Sequence, residues 1–77
     1  MNADQCRMAR AALRWSIDDL AEKSKVGRAT IARFETGTSA RGDTINALRR
    51  TLEGAAVVFI DDGEASKVGG AGVRLST

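Results

Sequence analysis

LAEKSKVGRATIARFETG, from Leu20 to Gly37, is the stretch on which the reading of this chain turns. It holds four basic residues, one glycine in mid-run and a second at its end. A helical pattern stops at Val26-Gly27 and restarts with Arg28. One uninterrupted amphipathic helix has no use for that break. Two short helices joined by a tight turn do, if the second lies across the first. Such a corner needs a small residue where the backbones approach, and Ala21 supplies it. It needs an apolar residue to seal the turn, and Val26 is that residue. Ile31 and Phe34, three apart, share the inward face of the second helix, which spans Arg28 to Glu35. Arg28, Ala29, Ala32 and Arg33 fall on the other side. Gly37 suits the left-handed position that stops a helix.

Working outward, Asn2 and Gln5 stand in capping-box spacing at the start of a first helix. Cys6, Ala9 and Leu13 give that helix an apolar side, with Met8 and Ala12 at its margin. Arg7, Arg10 and Arg14 lie on neighbouring faces, and Trp15 follows the helix. Ser16 and Asp19 repeat the capping spacing at the second helix, where Asp18 and Asp19 complement the helix dipole. That helix is expected to end near Ser24. The segment GTSARGD reads as loop, after which Asp43 is placed to cap a fourth helix from Thr44 to about Glu53. Ile45, Leu48 and Leu52 form its inward stripe.

The pattern changes after Gly54. AVVFID is short, β-branched and aromatic, and GVRLST alternates apolar with polar, so both read as strands. DGEASKVGGAG between them reads as loop. The expected fold is mainly α: four short helices over residues 1–55, then a tail over 56–77 that forms a β-hairpin or dimerising strands.

Composition narrows the function. With 77 residues the chain is one small domain, and a core this size is expected to gain from a partner chain. Net charge is only +2. Yet Lys23, Lys25, Arg28, Arg33 and Arg41 cluster in the middle against one acid, Glu35, while Asp61 to Glu64 carries three acids. A basic middle in a near-neutral chain points to a directed contact with an anion such as DNA. There is no histidine, and Cys6 is the single cysteine, so no internal disulfide forms. No P-loop or cluster of ligands is present, and the final GGAG lacks the flanking elements of a phosphate-binding turn. Catalytic residues, metal ligands and cofactors are therefore not expected. No apolar run approaches the ~18 residues of a membrane span. The first residues, MNADQCRMAR, have no apolar signal-peptide core. One cysteine fits a reducing cytoplasm.

The spaced set Leu13, Trp15-Ser16, Leu20-Ala21, Val26, Thr30-Ile31, Phe34-Glu35 and Gly37, extended by Ile45, Leu48 and Leu52, resembles the Xre family of helix-turn-helix proteins, the phage Cro/CI repressor type. The resemblance covers about residues 5 to 54. It implies a lambda repressor-like domain whose third helix enters the major groove of operator DNA. Carried over by position, Arg28, Ala29 and Arg33 face base edges, and Thr30 sits beside the backbone or a base. Ser16, Arg41, Thr38 and Ser39 lie near phosphates, and Lys23 and Lys25 add general attraction. Some phage repressors pair an arginine of the first helix with the glutamate before the final glycine; Arg10 and Glu35 hold those places.

Two positions depart from the family pattern. Ile17 stands where a polar residue often bonds a phosphate, and Gly27 stands where Ser or Thr often caps the reading helix. The resemblance implies a cytoplasmic transcriptional regulator, a homodimeric repressor on an inverted repeat that competes with RNA polymerase or touches it. Val57, Phe59, Val73 and Leu75 are the expected dimerisation residues, with helix four around Leu48 and Leu52 as the other candidate surface. The alternative is a protein-interaction module, an antitoxin or antiactivator, whose tail binds a partner protein.

Overall fold

The structure, a computed structural model, describes residues 1–60 and 72–76. Most of the glycine-rich stretch read as loop lies outside the described residues, as do the acids from Asp61 to Glu64. Four helices come first: α1 (Ala3–Leu13), α2 (Ile17–Ser24), α3 (Arg28–Glu35) and α4 (Gly42–Gly54). Two strands follow, β1 (Val57–Ile60) and β2 (Gly72–Leu75), paired antiparallel with Val57 opposite Leu75 and Ile60 opposite Gly72. This is the mainly α architecture expected, with the hairpin alternative realised within one chain.

Local chemistry sets the helix starts. Asn2 accepts from the Gln5 amide while Gln5 Oε1 accepts from the Asn2 amide, a complete capping box. Ser16 and Asp19 repeat it at α2. The α4 start differs from expectation. Arg41 occupies the cap position with no side-chain bond, and the helix begins one residue before Asp43. Asp43 instead lies in the first turn, where its charge still complements the dipole.

The break between α2 and α3 also has a different cause from the one its glycine suggests. Gly27 has φ −61, which any residue adopts. The left-handed residue is Lys25, at φ 64, whose amide donates back to the Ala21 carbonyl and closes α2. Arg14 does the same for α1 at φ 59. Gly37, at φ 104, is the left-handed glycine expected after α3.

The core gathers Cys6 and Ala9 from α1, Leu20 from α2, Ile31 and Phe34 from α3, Leu48 and Leu52 from α4, and Val57 from β1. Ala21 and Val26 pack against it at the α2–α3 corner. Met8 and Ala12 do not join the apolar side of α1; both are exposed. The inward position is filled by buried Gln5, whose Nε2 donates to the Ile60 and Gly72 carbonyls at 3.0 and 3.2 Å.

The tail is thus built into the helical core. Val57 is 3 % exposed, so its side chain is covered by its own chain rather than waiting for a partner. Phe59 and Val73 are partly buried against the same core, and Arg49 lies over the Phe59 ring at 5.2 Å. Leu75 is the one of the four that stays exposed. Leu48 and Leu52 are fully buried at 0 %, which removes them as a dimer surface on α4. The reason is common to these three residues: a core this small draws on most of the large apolar side chains it has.

Two stability changes are expected from these contacts. Gln5→Ala strands two hairpin carbonyls and half a capping box, and should cost about 1–3 kcal/mol in urea unfolding. Gly27→Ser should raise the unfolding free energy slightly, by roughly a few tenths of a kcal/mol, the scale of Gly-to-Ser cap differences. A Cβ at Gly27 meets only the Thr30 hydroxyl, at 3.8 Å, so nothing opposes it.

Candidate nucleic-acid interface

The outward face of α3 exists because the inward one is spoken for. Ile31, Phe34 and Glu35 are buried, which leaves Arg28, Ala29, Thr30 and Arg33 exposed on one side of an eight-residue helix. Arg33 Nε reaches the Ala29 carbonyl at 3.4 Å, one turn back. No acidic side chain pairs with Arg33 among the described residues.

Arg28 differs from Arg33. The sequence suggests that both lack an acidic partner, but Arg28 Nε donates to Asp18 Oδ1 in the first turn of α2. The α2–α3 corner causes this, since it brings residues ten apart side by side. Both side chains are 70 % exposed, so the pair adds at most about 1 kcal/mol to stability.

The residues expected near phosphates are scattered around this face. Thr38, Ser39 and Arg41 are exposed in the segment between α3 and α4, where Arg41 reaches Asp43 only at 3.4 Å. Lys25 is exposed at the turn. Lys23 lies over the Trp15 ring with its Nζ 5.2 Å from the centroid, so part of its charge is engaged by a cation–π contact. Ser16 is occupied as a cap: its amide donates to Asp19, and its hydroxyl oxygen accepts from the Asp19 amide. The Ser16 amide, followed by its hydroxyl, holds the Asp19 carboxyl below its ordinary range. The first turn of α2 therefore carries two carboxylates with their own partners.

Behind the exposed face lies the grip that orients α3. Arg10 forks onto Glu35, with Nε to Oε2 at 2.8 Å and Nη2 to Oε1 at 2.7 Å. Its Nη1 donates to the Trp15 carbonyl at 3.0 Å, tying the α1–α2 turn into the same group. Glu35 is 5 % exposed and Arg10 19 %. Two further α1 residues, missed in the sequence, complete the hold. The Cys6 thiol donates to Glu35 Oε2 at 3.3 Å, and the Arg7 guanidinium donates to the Glu35 carbonyl and to Asp4. The spacing Cys6, Arg7, Arg10 faces one way along a helix, but nothing in it signals which partner it meets.

The protonation states follow from these contacts. Burial, reinforced by the neighbouring Glu35 carboxylate, pushes the Cys6 thiol up to about 12. It is a hydrogen-bond donor, not a nucleophile. Burial alone raises the Glu35 carboxyl; the hydrogen bonds from Arg10 and Cys6 and the charges of Arg10 and Arg7 outweigh it and hold the group below its usual range. Among the described residues no group of three or more His, Cys, Asp or Glu stands together to hold a metal ion. No described helix is long and apolar enough to cross a membrane.

The helix-turn-helix family model matches residues 7–55 of the chain. The chain belongs to that family, in its Xre, Cro/CI-like branch. The matched span runs from Arg7 in α1 to the residue after α4, so it takes in the corner, the exposed face of α3 and, apart from Cys6, the Glu35 grip. No curated protein and no solved structure matches the chain. The family is one of DNA-binding regulatory domains.

The Glu35 grip has a measurable signature. Removing either partner leaves a poorly solvated charge, so Arg10→Ala and Glu35→Ala should each cost about 2–4 kcal/mol, and the double variant less than the sum. Because the folded Glu35 carboxyl sits below its unfolded value, its contribution is complete above the ordinary carboxylate range. It is lost as pH falls through the lower folded value. Urea midpoints of Glu35→Gln should accordingly fall less steeply on acidification than those of the wild type.

Proposed function

We infer that the protein is a sequence-specific regulator that reads double-stranded DNA with α3 in the major groove. The observation that carries this reading is the exposed face of α3, where Arg28, Ala29, Thr30 and Arg33 stand clear of the core beside a helix corner of the matching family. An arginine fork suits guanine O6 and N7, and an alanine methyl suits a thymine methyl. Thr38, Ser39, Arg41 and Lys25 are the proposed backbone contacts. Lys23 contributes less, since Trp15 holds part of its charge. Ser16 contributes through what its capping role leaves over.

A single chain carries one reading helix, and one half-site gives little specificity against a genome of competing sequence. We therefore read the working form as a homodimer on an inverted repeat, with reading helices ~34 Å apart. The proposed contact is the hairpin, through the exposed Leu75 and the outer strand edges, with Phe59 and Val73 at its margin. Val57 supports it from within the core. Repression by occupying a promoter in the cytoplasm is the mode this arrangement fits. The rival, a tail devoted to a partner protein, draws less support, because the hairpin is fastened to α1 and contributes to its own core.

Selection of bound duplexes from a random-sequence pool tests the reading. An inverted repeat is the expected product, and recovery of no preferred sequence would count against it. On the selected site, Arg33→Ala should cost about 1–3 kcal/mol and flatten the preference at one base pair per half-site, while Lys23→Ala weakens all sequences alike and by less. Sedimentation of a Leu75→Glu variant, expected to be monomeric, tests the hairpin contact.

A further inference from the structure

We propose that Asp18 is a positioning residue for base recognition: it holds Arg28 by Nε and so presents the far edge of the guanidinium to a guanine. The inference rests on α3 reading the major groove and names the base that its first residue takes.

A guanidinium carries five N–H donors in a flat fork. Asp18 Oδ1 occupies the one on Nε. Arg28 makes no hydrogen bond through Nη1 or Nη2 among the described residues. Those two nitrogens form the terminal edge of the group, the edge that pairs bidentately with guanine O6 and N7. A flexible arginine at a helix start samples many rotamers and loses that freedom on binding. An arginine already held at Nε loses less. Its plane is also restricted, so the discrimination between guanine and adenine sharpens.

The position of Asp18 makes this more than a surface ion pair. It lies in the first turn of α2, and Arg28 is the first residue of α3. The two are fixed relative to each other by the Leu20, Ala21, Val26 and Ile31 packing at the corner. The carboxylate is therefore borne on the rigid scaffold, not on a loop. Among the described residues, Arg33, four residues after Ala29, has only the 3.4 Å contact to its own helix backbone and no such support. Two arginines on one face thus divide: Arg28 is preset for one base, and Arg33 adapts.

The same carboxylate opposes phosphates. Its removal therefore has two separable effects: lower discrimination at one base pair, and unchanged or higher affinity for unrelated duplex. A residue that only stabilised the fold would show neither.

The test runs the random-pool selection on the full chain with wild type, Asp18→Ala, Asp18→Asn and Arg28→Ala, with urea unfolding of each. Arg28→Ala should erase a guanine preference at one position of the half-site. Asp18→Ala should weaken that same preference about threefold to tenfold, leaving other positions intact. Asp18→Asn keeps an oxygen acceptor for Nε and should restore most of it. If Arg28→Ala erases the preference but Asp18→Ala leaves it unchanged, the positioning role is overturned while the reading of DNA by α3 stands. An Asp18→Ala loss spread evenly over all positions overturns it as well. If Arg28→Ala changes no position, the base-reading role itself fails, and this inference with it.

Discussion

Glu35 is a carboxylate that the fold has removed from water, and the way it is compensated sets the angle of α3 against α1. A buried charge without partners is untenable in a core this small. Here the partners come from one helix: the Arg10 fork, the Cys6 thiol and, at the adjoining carbonyl, Arg7. Well-packed apolar groups of similar size often serve stability as well as a buried ion pair does. What apolar groups lack is direction. A two-pronged fork onto a flat carboxylate admits one orientation, so the last residue of α3 is fixed relative to α1 in angle as well as distance.

The two ends of α3 are treated in opposite ways. Its C-terminal end is gripped from inside, through Glu35. Its N-terminal end is open, with Gly27 at the cap and Arg28 exposed beside Asp18. An inflexible base and a presented tip are what the proposed reading of DNA by α3 requires, and the residues that hold the base lie behind the exposed face. Cys6 belongs to that support. Its raised pKa keeps the proton on sulfur, where it serves as a donor to Glu35.

The hairpin belongs to the same construction. Gln5 both starts α1 and pins the strand carbonyls, so one side chain connects the first turn of the protein to its last strand. Val57 completes the apolar core beneath Leu48 and Leu52. The tail is therefore part of the same folded unit as the helices. Of its large apolar side chains among the described residues, Leu75 is the one left exposed.

Much of this was legible in the order of residues, for local reasons. Capping boxes at Asn2 and Ser16, the stripe of α4, the corner at Val26 and the left-handed Gly37 are decided by neighbours within a few positions, where spacing alone carries the physics. The Arg10–Glu35 pairing was legible only through family resemblance, because twenty-five positions separate the partners. The misreadings have the same origin. Gly27 marked the break in the sequence, but the left-handed residue that closes α2 is Lys25. Arg28 looked unpaired until the corner folded Asp18 onto it. Val57 looked free until α4 closed over β1. The sequence determined which faces are apolar and where helices start and stop. Tertiary structure decided which charges meet and which apolar residues remain outside, because those outcomes depend on contacts between segments that no local period encodes.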